Sequence, residues 1–381
     1  MMKLYVKTIN SNVKVILALL FFFTLSFIIY HRVFAGTFIW DDLTYIINNP
    51  IIQSKEAFFK IWFSTKFVDY WPLSYSLFRL EWLSFGLNTT GYHLINFFIH
   101  SLSCVLFWRI LIRLNFSYSF FAAFVFCIHP VNVETVAWIF QAKTLLSAAF
   151  VLMTTLLYLR FLDGLRIQNY FAAFFCFVLA NLSKASFITW PLVLLIYEWS
   201  KNKSQTKCYI FKKLFPFFLI SLIFGVLNLW WYSRSPQISS LDLESNRTFF
   251  ESFMNAGQVV ALYIYNSLVP LGLCFVYPSL DTFFRPAIAW IPSVTIIFIL
   301  AYLFVKKNNY SSKTFLFLLY LLISLFPVLG FFEIYFMKYS LMSDHCFYLS
   351  LLGIIVATIT LFSKYIRSSS TRIIIGCFVS C

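Results

Sequence analysis

Charge is what this sequence has least of. Only 11% of its 381 residues are Asp, Glu, Lys or Arg, while 61% are hydrophobic and the mean hydropathy is +0.82. A soluble globular protein carries roughly 25% charged residues, so the polar surface here is too small to cover a water-soluble body of this length. Strand-like alternation is missing as well. A transmembrane barrel needs alternating segments of about 10 residues, and the apolar runs of this chain do not alternate. Several instead approach the ~20 residues with which a helix crosses a bilayer. The fold class expected is an all-α polytopic membrane protein.

Other absences narrow the chemistry. None of the eight Cys forms a CxxC pair, and most lie in or beside apolar runs, where a thiol behaves as a small core residue. The five His are scattered without HxxxH spacing, so no metal site is indicated and no cofactor is expected; a divalent metal has no support in the spacing. There is no Walker loop and no GxSxG elbow, which removes chemistry driven by a cytoplasmic nucleotide. Acidic residues number 14 against 29 Lys and Arg, a net charge of +15. In a soluble domain this excess would suggest nucleic acid. In a membrane protein, Lys and Arg collect in cytoplasmic loops and touch anionic lipid, so the bilayer is the expected partner and nucleic acid is not.

What is present is a series of apolar runs separated by basic and polar loops. Residues 1–14 carry Lys3, Lys7 and Lys14, and the first run is Val15–Ile29. Later spans are expected near 92–112, 118–129, 144–161, 170–182, 187–199 and 215–232. The most basic loop holds Lys201, Lys203, Lys207, Lys212 and Lys213. Placing it in the cytoplasm puts residues 1–14, 109–117 and 160–168 there too, consistently with the positive-inside rule. Residues 253–272 are read as an interfacial or re-entrant helix, because Asn255, Gln258, Asn266 and Pro270 interrupt them. The remaining spans then fall near 287–305, 315–332 and 347–362. The reading is one domain, 1–381, of about 10 spans (11 if 253–276 cross). It has a long first outer loop at 36–90, a second outer segment at 233–286, and an incomplete last span at 372–381.

This topology gathers polar groups on the outer face: Asp41, Asp42, Asp69, Tyr70, Trp71, His129, Glu134, Lys143, Lys184, Tyr277, Asp281, Arg285, Lys338, Asp344 and His345. Charges beside lipid are costly unless hydrated or functional. A carboxylate can take a proton from an attacking hydroxyl, and cations can hold a phosphate. Taken singly, each group has a plainer reading. Asp41-Asp42 could cap a loop helix, His129-Pro130 could end a span with Glu134 capping the next turn, and Lys143 and Lys184 could snorkel to headgroups. Arg285 could be an interfacial anchor, and Asp344-His345 a solvated turn.

Read in order, the segments Phe38-Ile39-Trp40-Asp41-Asp42 with Asn49-Pro50, Tyr70-Trp71-Pro72-Leu73, Gly91-Tyr92-His93-Leu94-Ile95-Asn96 with His100, His129 to Trp138, Leu182-Ser183-Lys184 with Pro191, and Asp344 to Leu349 with Gly353 carry a resemblance over roughly residues 36–360. The chain resembles the membrane portion of the transmembrane and tetratricopeptide-repeat-containing O-mannosyltransferases and their bacterial homologues, glycosyltransferases with a GT-C type helix bundle. The resemblance implies a polyprenyl- or dolichyl-phosphate sugar donor, a protein or glycan acceptor on the periplasmic or lumenal side, and an acidic residue of the first outer loop in catalysis. Asp42 is the expected base, with Asp41 close behind. Lys184, Arg285 and His345 are the candidates for the donor phosphate, and Tyr70, Trp71, His129, Glu134 and Asp344 for substrate binding. His345 stands where the family usually has Arg after its acidic residue. The repeats are not in this sequence, and Arg372–Cys381 reads as the start of a span that leads into them.

The expected activity is inverting transfer of mannose or a similar hexose to a hydroxyl, in a bacterial inner membrane or, in a eukaryote, the endoplasmic reticulum. Competing readings keep the fold but transfer the sugar to lipid or cell-wall glycan, or make the protein a truncated, non-catalytic scaffold. A transporter would place its ion-coupling carboxylates near the bilayer midplane, whereas Asp41-Asp42 lie in an outer loop.

Overall fold

The computed structural model describes residues 10–67, 69–201, 206–234, 247–306, 309–331 and 335–365. The expected incomplete last span at 372–381 lies outside the described residues, as do Lys3, Lys7 and Lys203. Among the described residues every regular element is helical, so the all-α expectation holds.

The helices begin where the apolar runs begin. α1 is Ser11–Tyr30, capped by the Asn10 side chain, which accepts the Asn12 N–H. α5 is Thr89–Arg113, capped in the same way by Asn88. α8 is Ala142–Gly164, α9 Ile167–Ser183, α10 Trp190–Lys201 and α11 Lys207–Arg234. α13 is Ile291–Lys306, α14 Asn309–Leu325 and α16 Ser350–Tyr365. α5 packs against α1 and α8, α8 lies along α9, and α16 packs between α14 and α6 (Ser119–Ile128). Each expected span therefore has a helix, but length separates them. Among the described residues four helical stretches are long and apolar enough to cross a membrane, those of α1, α5, α8 and α11. A fifth is possible if α6 and the segment ending at α7 (Val133–Ala137) form one broken span, bent by 53°. The bend has a local cause: Pro130 has no N–H to donate and disfavours helical backbone at His129. The apolar helices α9, α13, α14 and α16 are shorter.

The outward faces fit a hydrocarbon surrounding. Ile16, Leu20 and Ile28 of α1, Leu222, Val226 and Leu229 of α11, and Ile297, Phe298 and Phe304 of α13 are all exposed. Water would penalise such apolar faces; lipid does not.

The first loop is itself folded. α2 (Pro50–Gln53), α3 (Ala57–Phe63) and α4 (Pro72–Phe85) close over a small core of Ile46, Ile52, Phe67, Tyr75, Phe78, Tyr92, Trp138 and Phe140. Two of these residues belong to the segment before α8, so the loop is seated on the end of the bundle.

Residues 249–268 form one continuous helix, α12 (Phe249–Leu268), opened by a capping box between Thr248 and Glu251. It is not among the helices long and apolar enough to span. Two of the polar residues that interrupt its hydrophobic pattern turn to protein partners. Gln258 Nε2 donates to the Ala289 carbonyl (2.9 Å) and Asn266 Nδ2 to the Tyr277 hydroxyl (3.1 Å).

Candidate active site

Asp41 and Asp42 follow a residue in an unusual conformation. Trp40 has φ +47°, which is costly for a bulky side chain. Ring contacts with Phe275 (4.8 Å between centroids) and Tyr339 (5.3 Å) hold it there. The sharp turn that results gives the two carboxyl groups different surroundings. Asp42 is 1% exposed. Its Oδ2 accepts the Ile39 N–H (3.0 Å) and its Oδ1 the Phe140 N–H (2.8 Å). Asp42 thereby staples the loop to the segment before α8. Burial pushes its pKa up to about 7, against the pull of those two N–H bonds, and the neighbouring Asp41 charge adds to the rise.

Asp41 is half-buried. Burial raises its pKa as well, and the positive charges of Lys143, His345 and Lys184 pull it back. Three basic side chains from three separate parts of the chain thus act on one carboxyl group. Lys184 ends α9 in an extended conformation (φ −165°), and its Nζ donates to Thr144 Oγ1 (2.9 Å). Ser147 Oγ donates to the Lys184 carbonyl (2.9 Å) and fixes the turn. Lys143, in the first turn of α8, has its Nζ 3.4 Å from the centre of the Phe140 ring and 4.9 Å from that of Trp71. Both lysines are buried. An aromatic face compensates part of what a cation loses on leaving water. Asp69 adds a further carboxyl group; burial raises its pKa, Lys143 and Lys184 oppose the rise, and Asp41 adds to it.

A second group of contacts closes the other wall. Glu134, on α7, accepts from Ser343 Oγ (2.8 Å) and His345 Nδ1 (2.7 Å) through Oε1, and from the His345 N–H (3.1 Å) through Oε2. His345 lies in α15 (Asp344–Phe347). Burial works against its protonation, but the Cys346 sulfur and the Glu134 carboxylate outweigh burial and push its pKa up to about 9. His345 is thereby held in its charged form at neutral pH. Asp344 Oδ1 accepts from the Tyr277 hydroxyl (2.9 Å). Burial and the Glu134 charge raise the Asp344 pKa to about 7. Tyr263 fixes the turn by donating to the Ser343 carbonyl (2.7 Å) and accepting the Ser343 N–H (3.0 Å).

The residues expected from the sequence divide accordingly. Asp41, Trp71, Lys184, Glu134, Asp344 and His345 are brought together. Tyr70 is half-buried against Trp231, their ring centres 4.6 Å apart. Both ring nitrogens of His129 are engaged locally: Nε2 with the Ser267 carbonyl (3.0 Å) and Nδ1 with the Val131 N–H (3.3 Å). Arg285 is exposed, and among the described residues no contact joins its side chain to the cluster.

Lys143 and Asp69 were legible only as outer-face charges without a role. Glu81 gave no signal at all. It is 1% exposed and neither carboxyl oxygen finds a hydrogen-bond partner among the described residues. Burial, with the Asp42 charge nearby, holds its pKa far above the ordinary carboxylate range.

No family model matches the chain. A protein O-mannosyl-transferase of Caenorhabditis elegans is 30% identical to it over 158 residues, 37% of this chain and 23% of that protein. The human protein O-mannosyl-transferase TMTC4 is 27% identical over 161 residues (35% and 22%), and the mouse protein O-mannosyl-transferase TMTC1 is 32% identical over 152 residues (36% and 16%). This chain is similar in part to protein O-mannosyl-transferases. The resemblance carried by its ordered motifs is thus supported by direct comparison. The matched stretch covers less than a quarter of the length of each of these relatives.

Proposed function

We propose that the protein is a GT-C type membrane glycosyltransferase. It moves mannose or a similar hexose from a polyprenyl- or dolichyl-phosphate carrier to a hydroxyl, that of a protein Ser or Thr, on the side of the membrane that Asp41 faces. The observation that carries this reading is the half-buried Asp41 carboxyl group, set among Lys143, Lys184 and His345 at the end of an apolar bundle. The similarity to protein O-mannosyl-transferases supports the choice of sugar and acceptor.

In this reading Asp41 is the base and Asp42 its anchor. Asp42 spends both oxygens on backbone N–H groups, whereas Asp41 is half-buried beside the cations. The acceptor hydroxyl attacks the anomeric carbon while Asp41 takes its proton. The bond from that carbon to the phosphate oxygen breaks, configuration inverts, and the carrier phosphate leaves with its charge compensated by Lys143, Lys184 and protonated His345. Trp71, lying under both lysines, offers an apolar face to the sugar. Glu134 keeps His345 charged and oriented.

The test is sugar transfer in membranes from a polyprenyl-phosphate mannose to Ser/Thr peptides. Transfer by the wild type and its loss in Asp41→Asn are the expected outcomes. Full activity of Asp41→Asn would overturn the assignment of the base. Failure of the wild type to turn over any polyprenyl-phosphate sugar would overturn the function.

A further inference from the structure

A second cluster of polar side chains lies inside the bundle, apart from the carboxylate and lysine site. His100 and Cys104 are four residues apart on α5 and therefore share one face; Cys127 comes from α6. All three are buried, and their ligand-type atoms (one ring nitrogen and two sulfurs) lie within 4.8 Å of one another. Cys104 Sγ is 3.9 Å from His100 Nε2. α1 contributes a stripe of residues at four-residue spacing. The Phe22 carbonyl and Ser26 Oγ contact Cys127 Sγ at 3.9 and 3.6 Å. One turn on, the Tyr30 ring meets the His100 ring edge-on at 6.4 Å. Tyr30 is 4% exposed, and its hydroxyl has no hydrogen-bond partner among the described residues.

Polar groups inside a membrane bundle are costly and tend to mark function, and an unpartnered buried hydroxyl forgoes the hydrogen bonds it would make in water. We propose that His100, Cys104 and Cys127 form a buried binding site for a closed-shell, thiophilic dication of the zinc type, with the Tyr30 hydroxyl as its oxygen-side neighbour. The donor set is the first argument. One imidazole and two thiolates are ligands that such an ion takes tetrahedrally, with bonds of ~2.0–2.3 Å, so that ligand atoms stand roughly 3.5–3.8 Å apart. The cluster needs only a small contraction to reach that spacing. Charge is the second argument. Binding releases the two thiol protons, and a dication with two thiolates leaves no net charge in a low-dielectric interior; a monovalent ion would leave one negative charge there. His100 Nδ1 lies 2.7 Å from the Tyr348 hydroxyl and Nε2 3.2 Å from the Cys127 carbonyl; the first contact orients the ring, as a ligating His almost always engages its other nitrogen, and the ion would take the place of the second.

The position gives the site a role. Cys127 is seven residues before Glu134, and Tyr348 is three residues after His345. An ion here would brace the two chain segments that supply the Glu134–His345 pair, from beneath and without touching substrate. The sequence hid this because His100-x-x-x-Cys104 lacks its third member until α6 folds against α5.

The experiment uses the full chain in detergent, stripped with a chelator and titrated with Co2+ and then Zn2+. One Co2+ per chain is expected to bind with a thiolate-to-metal charge-transfer band and the visible bands of tetrahedral cobalt, both lost on adding Zn2+. The thermal midpoint should rise with Zn2+, and Cys104→Ala/Cys127→Ala should lose both the spectrum and the rise. A wild-type chain that shows no thiolate band would overturn the proposal whatever the variant does. So would intact mass after alkylation showing a Cys104–Cys127 disulfide in the native protein.

Discussion

His345 Nδ1 stands 2.7 Å from Glu134 Oε1, and both side chains are buried. The contact joins segments 211 residues apart and makes a His serve as a cation. Its pH dependence has a definite sign. The folded pKa of about 9 lies above the ordinary His value of roughly 6.5. The stabilisation is therefore complete below about pH 6.5 and is lost as pH rises through about 9. Transfer activity should fall over the same alkaline range. In Glu134→Gln that alkaline limb should move to lower pH, with a raised KM for the sugar donor at pH 8. An unmoved limb in pH–rate profiles of the two proteins would show that Glu134 does not set the charge of His345.

The paired Asp residues separate by the kind of damage each substitution does. Asp41→Asn should cost roughly 10²–10⁴-fold in transfer rate with little change in thermal midpoint. Asp42→Asn can keep one backbone N–H bond but presents an NH2 group to the other. It should destabilise by about 1–3 kcal/mol and retain activity at temperatures where it stays folded. Thermal unfolding followed by fluorescence, alongside transfer assays, checks both. The reverse pattern would return the role of base to Asp42.

That distinction shows where the sequence stops being informative. Adjacent carboxylates in the first loop were visible, as was the order of motifs that brought Lys184, Glu134 and His345 to the same face. The helices were visible too, because each is an apolar run bounded by polar residues such as Asn10 and Asn88. What separates Asp41 from Asp42 is the Phe140 N–H, 98 residues away, and no local pattern announces it. Lys143 read as a snorkelling residue because one lysine at a helix start looks the same whether lipid headgroups or the Phe140 and Trp71 rings surround it. Arg285 drew attention by charge alone, and the fold leaves it exposed.

Lys143 and Lys184 should prove separable. Lys184→Gln removes the donor held by Thr144 Oγ1 and should weaken competition by sugar-free polyprenyl phosphate about 10–100-fold, the worth of roughly 1.5–3 kcal/mol for a charge-assisted hydrogen bond. Lys143→Met should do something different in addition. Lys143 is the largest of the charges holding the Asp41 pKa down against burial, so its loss should shift the acid limb of the pH–rate profile to higher pH. An acid limb that stays put in Lys143→Met would detach Lys143 from the base.

α12 supports the same site from outside, and its packing turns on one small residue. A Cβ on Gly257 would come within 2.0 Å of Ser293 Oγ and 2.6 Å of Ser293 Cα, where Ser293 Oγ donates to the Phe253 carbonyl (2.8 Å). Close backbone approach at a small residue is how helices associate within a bilayer. Gly257→Val should therefore force α12 and α13 apart and cost about 1–3 kcal/mol. α12 carries Tyr263, which fixes Ser343 beside Glu134, so the donor KM should rise as well. Tyr263→Phe removes that hydroxyl without disturbing the helix contact, and should raise the donor KM while leaving the α12–α13 packing intact. A KM unchanged in both variants, at temperatures where both are folded, would show that α12 does not position the Glu134–His345 pair.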